Sequence, residues 1–162
     1  MKKTTGIIAA FALLALITGC AKKDSTDQTA ATGGKTFRVG ISKIVAHPAL
    51  DAIEQGIQDE LAARGISATY DLQNANGDVN TAGQIAAKFK ADKDDIVVAI
   101  ATPTAVAAAN VIKDRPVIFS TVTDPVSAGL ATADNKGIGN VTGLSDKINV
   151  LDQITLFNRI KT

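Results

Sequence analysis

A chain of 162 residues with 17 Lys plus Arg against 16 Asp plus Glu is almost neutral, so it has no basic field with which to hold nucleic acid. Aromatic residues are 4% of the chain with no Trp, which also removes the stacking platforms that single strands use. One Cys and one His exclude an intramolecular disulfide and a His/Cys metal site, and no cofactor-binding motif is present.

Lys2 and Lys3 give a short positive start, and Ile7 through Ile17 is an uncharged apolar run. Spanning a bilayer takes about 20 apolar residues, so this shorter run suits the core of a signal peptide over residues 1–19. It leads into Ile17-Thr18-Gly19-Cys20, which resembles the lipobox of bacterial lipoproteins. The resemblance implies cleavage before Cys20, acylation of its thiol and anchoring to the cell-envelope membrane on the extracytoplasmic side. Each buried methylene contributes about 0.8 kcal/mol, so several acyl chains on one residue hold a protein at a membrane durably. Residues 20–35 continue as Ala, Lys, Asp, Ser, Thr, Gln and Gly after the cysteine, with no large apolar side chain, and read as a flexible tether.

The folded part is expected from residue 36. Phe37-Arg38-Val39-Gly40-Ile41 alternates and is β-rich, so it predicts a strand. Pro48 opens a helix on which Leu50, Ile53, Ile57 and Leu61 recur at helical spacing, and Arg64-Gly65 ends it. Ala68 to Leu72 is a second strand. After the turn cluster Asn74 to Asp78, Val79, Ala82, Ile85, Ala86 and Phe89 mark a second helix with Asp78 as its N-cap. Ile96 to Ala101 is an unbroken apolar run, the mark of a strand buried on both faces of a parallel sheet. Thr102-Pro103-Thr104 then starts an alanine-rich helix to about Ile112, with Thr102 expected as its cap. Pro116 to Ser120 is the next strand, Thr123-Asp124-Pro125 a turn and Asn140 to Thr142 a weak last strand. Ile148 to Ile160 is expected as a final helix with Ile148, Leu151, Ile154 and Phe157 turned inward.

Strand and helix alternate throughout, which argues an α/β fold: a doubly wound parallel sheet with helices on both faces and strand order 2-1-3-4-5. Ligands of such sheets bind beyond the carboxyl ends of the strands. Four loops fall there: Ser42 to His47, Thr102 to Thr104, Thr121 to Asp124 and Gly143 to Asp146. A helix starting at Thr102 presents free N–H groups and a positive dipole end to an anion such as a carboxylate. Asp124 or Asp146 answers an ammonium group, so the edge suits a small zwitterion. Each of these residues also has a purely structural role open to it: Thr102 as a cap, Asp124 as a turn initiator, His47 as a cap beside Pro48. No Gly-x-Ser-x-Gly elbow and no P-loop are present. Gly137-Ile138-Gly139 precedes a strand instead of following one, against a dinucleotide loop.

Several blocks together resemble a family of ABC-transporter substrate-binding lipoproteins, similar to binding proteins for tryptophan, tyrosine and related amino acids. They are Phe37 to Ser42 with His47-Pro48-Ala49-Leu50-Asp51, Ala101 to Thr104, Thr121 to Val126 with Ala128-Gly129-Leu130, and Asn140 to Asp146. The resemblance runs from Phe37 to about Phe157. It implies one lobe of a two-lobed periplasmic binding protein, no enzymatic activity, an amino acid as ligand and an ABC permease as partner. It carries ligand contacts onto Ser42, Thr102, Thr104, Thr121, Asp124 and Asp146, beside His47 on the same edge. Residues 36–147 are then the N-terminal lobe and 148–162 a connecting helix, truncated before a second lobe. A single lobe is expected to bind its ligand weakly. The alternatives are an exported α/β hydrolase using Ser42 or Ser120, and a membrane-anchored sensory or scaffold lobe.

Overall fold

A computed structural model describes residues 34–161. The signal peptide 1–19, the lipidation site Cys20 and the tether as far as residue 33 lie outside the described residues.

The elements follow in strict alternation until the last strand: β1 (Phe37–Lys43), α1 (Pro48–Ala63), β2 (Ala68–Asn74), α2 (Val79–Ala91), β3 (Ile96–Ile100), α3 (Thr102–Val111), β4 (Val117–Val122), β5 (Val141–Ser145) and α4 (Val150–Ile160). The strands form one sheet in the order β2-β1-β3-β4-β5, with every neighbouring pair parallel. This is the doubly wound α/β arrangement that the alternation predicts. The unbroken apolar run lands in the middle as β3, where Val97 through Ile100 are buried.

Packing divides the molecule into two unequal layers about the sheet. On one face Ala82, Ile85, Ala86 and Phe89 of α2 join Ala105, Ala108 and Ala109 of α3 over Val97, Ala99, Val117 and Phe119. The alanines let α3 lie close to the strands, and Phe89 fills the remaining depth. On the other face α1 alone sets Leu50, Ile53 and Ile57 over Val39, Ile41, Val98 and Ile100. None of the residues of α1 is fully buried, since among the described residues no second helix flanks it. Beside it an apolar groove of about 690 Å³ runs to Ile118 and Leu144, which are 37% and 73% exposed.

Two sequence expectations change here. The last strand is longer than Asn140 to Thr142 and runs on to Ser145. The final helix forms, but Ile148, Leu151, Ile154 and Phe157 are not inward: they are exposed, and α4 buries no residue. The amphipathic pattern predicts a core face, whereas no part of α4 is buried against the sheet.

Candidate functional site

The carboxyl ends of β1, β3, β4 and β5 lie at one edge, and the register fixes their relative heights. Ser42 pairs with Ala99, Ile100 with Ser120, and Val122 with Ser145. Ser42, Thr102, Thr121 and Asp146 therefore come to the same end of the sheet from four different strands. Sheet order reverses between β1 and β3, since β1 crosses to β2 on one side and β3 to β4 on the other. In open parallel sheets such a divergence is where a crevice forms at the carboxyl edge.

At the β1 side Ser42 is 3% exposed. His47 is exposed and caps α1, its Nδ1 accepting the Ala49 N–H at 3.2 Å. Beneath the loop, Lys43 Nζ donates to Asp51 at 2.6 Å and to Glu54 at 3.1 Å. The Asp51 carboxylate holds the Lys43 ammonium above its ordinary pKa, against the opposing pull of burial. Glu54 Oε2 is buried without a partner. This cluster pins the first two turns of α1 to the end of β1. Sequence reading missed it; its only signal was a lysine closing an apolar strand.

At the β3 side the expected cap is corrected. Thr102 lies inside α3, and Ala101 is the N-cap, with φ 83° and ψ 155° and no side-chain bond to the first turn. The threonine that bonds back is Thr104: 1% exposed, its hydroxyl donates between the carbonyls of Ile100 and Ala101 at 2.7 and 2.9 Å. Thr104 thus faces into the turn, while half-buried Thr102 stands at the edge. Ala101 carried no signal in the sequence, having no polar atom.

Thr121, the residue before the last of β4, has a left-handed conformation, φ 54°, within the register shift between Phe119 and Val122. Its Oγ1 is buried and has no partner. Asp124 closes the turn that follows, accepting from the Ser127 N–H at 3.0 Å and the Ser127 hydroxyl at 2.7 Å. These bonds, the backbone one foremost, hold its carboxyl below the usual range. Asp146 is exposed, and its N–H donates to the Val122 carbonyl at 3.3 Å. The edge thus offers hydroxyls, two carboxylates and a helix start left open, a set that can grip a small zwitterion.

A family model described as ABC transporter substrate binding protein matches residues 38–161. The chain is 39% identical over 158 residues to a tyrosine-binding protein of Clostridioides difficile strain R20291, covering 92% of this chain and 46% of that protein. A ligand-free, open substrate-binding protein with adhesive properties from Clostridium difficile aligns at 40% identity and a TM-score of 0.70, covering 76% of this chain and 43% of that one. An ABC domain from Streptococcus pneumonia in complex with L-Trp aligns at 38% identity and a TM-score of 0.72, again over 76% and 43%. The chain therefore spans less than half the length of each of these relatives.

Proposed function

The chain belongs to the family of ABC transporter substrate-binding proteins, and on that footing we propose that its crevice edge is one wall of a cleft for an aromatic amino acid delivered to an ABC permease. The family binds and does not catalyse, which removes the hydrolase alternative that rested on Ser42 or Ser120. The observation that carries the reading is the start of α3, which no side chain caps, at the same end of the sheet as Thr121, Asp124 and Asp146. The ligand carboxylate meets the α3 amides and the positive end of its dipole. Asp124 or Asp146 takes the ammonium group. Ser42, Thr102 and Thr121 supply hydroxyls, Thr104 braces the turn, and His47 stands at the rim. The aromatic side chain is suggested by the tyrosine-binding relative and by the neighbour that holds L-Trp.

The test is a titration of the isotopically labelled chain with L-tryptophan and L-tyrosine, read by amide chemical shifts. Shifts concentrated at residues 102, 121, 124 and 146, with none from L-lysine or L-glutamate, support the reading. Shifts absent, or equal for all four amino acids, contradict it. Residues 1–19 as signal peptide and Cys20 as lipid anchor belong to the same proposal. Cys20→Ser then moves the protein from the membrane fraction to the soluble one, and an unchanged distribution removes the anchor.

A further inference from the structure

We propose that Ala101 is the positioning residue of this edge: its left-handed backbone, not its side chain, sets the direction in which the first turn of α3 faces the ligand. The inference rests on the reading of the edge as an amino-acid cleft. At φ 83° and ψ 155°, Ala101 occupies a region that glycine enters freely and that a Cβ makes costly. Alanine is also a poor N-cap, since it has no oxygen to offer the first turn. Two local rules are thus broken at one position.

The surroundings hold the conformation in place. The Ala101 N–H donates to Ser120 at 2.9 Å, and its carbonyl accepts from the Ala105 N–H at 3.1 Å and the Thr104 hydroxyl at 2.9 Å. One step beyond the Ile100–Ser120 pair, the residue alongside on β4 is Thr121. It too has a positive φ, rarer still for a β-branched residue, and a buried hydroxyl left unbonded. Both strands that border the crevice on this side thus carry a strained residue other than glycine at the same height, Ala101 just past the end of β3 and Thr121 in the irregularity before β4 ends at Val122. Strain of this kind persists where neighbours over-determine it and gathers at ligand sites. A relaxed, negative φ at Ala101 would turn Thr102 and the open amides of α3 away from the edge. Pro103 has no N–H, so the aim of the remaining amides carries the whole effect.

The test compares wild type, Ala101→Gly and Ala101→Val in the full chain, with L-tryptophan and L-tyrosine as probes. Glycine keeps the conformation and removes its cost, so Tm rises by about 3 °C or more. Valine cannot hold the conformation. Its α3 first-turn amide shifts move before any ligand is added, the strand shifts remain, and affinity falls about tenfold. Ala101→Gly without a rise in Tm overturns the inference, as does Ala101→Val that binds like wild type. Valine that unfolds the chain leaves the glycine Tm to decide. If wild type binds neither amino acid, the cleft reading fails, while the glycine Tm and the valine shifts still judge the role of Ala101.

Discussion

Asp94 is 1% exposed, yet only one of its carboxylate oxygens has a partner, Arg38 Nε at 3.1 Å. Burial pushes its carboxyl up from the ordinary 3.8, with Arg38 pulling the other way. The native state therefore takes up the proton at a higher pH than the unfolded chain. Its contribution to stability rises as pH falls from neutral through the raised native value and levels off below about 3.8. Urea unfolding at stepped pH should show wild type gaining on Asp94→Asn as the solution is acidified. The reverse trend would mean that Arg38 dominates. The same oxygen explains Gly40: a Cβ there would stand 2.7 Å from Asp94 Oδ2 and 2.8 Å from the Phe89 ring. Gly40→Ala is expected to cost about 1–3 kcal/mol in the same melts. Gly143→Ala is expected to cost more, because its Cβ would lie 2.0 Å from the Phe119 carbonyl, and backbone cannot step aside as a side chain can.

At the scale of elements, what was legible followed from local chemistry. Asp78 accepts the Thr81 N–H at 2.6 Å as the N-cap of α2, and that bond lowers its carboxyl pKa below 3.8. Asp78→Ala should lower Tm by about 2–4 °C at neutral pH. The cap bond favours the carboxylate, so the difference from wild type should shrink as pH falls through the lowered native value. A gap that persists fully at pH 2 would assign the loss to something other than the charged cap. The five strands and the buried, central place of β3 were readable from the alternation and its apolar run, and right-handed crossovers with helices on both faces favour the order found. The four loops of the edge followed from that order. The start of α3 differs from its expectation at Thr102 because Thr-Pro has the letters of a cap. The bond to Ser120 across the sheet and the local bond from Thr104 place the cap at Ala101 instead, and a methyl group gives no warning of that. The face of α4 differs from its expectation because periodicity says which residues share a side and not whether anything lies against it.

At the scale of the molecule, the exposure of the edge sets the affinity. Ser42, Thr102, Thr121, Asp124 and Asp146 line one edge, and no opposing wall stands over them among the described residues. Small-molecule sites that bind well bury about 70–90% of the ligand surface, and an edge touches a zwitterion from one side only. A closed cleft that binds at about 1 μM gains about −8.2 kcal/mol, and half of that corresponds to about 1 mM. On the proposed reading, the described residues by themselves are expected to hold L-tryptophan or L-tyrosine with a Kd of the order of 1 mM. The open groove beside α1 complicates the measurement, because Ile118 and Leu144 invite association, and a second copy could supply a wall by accident. Ile118→Thr with Leu144→Lys leaves the hydroxyls and carboxylates of the edge in place while making the groove polar. If affinity comes from the edge alone, the double variant binds as wild type and sediments as a monomer at higher concentration. Micromolar binding by that monomer would show that the edge is already a complete site. Binding that disappears with the groove would place the ligand against the apolar face instead.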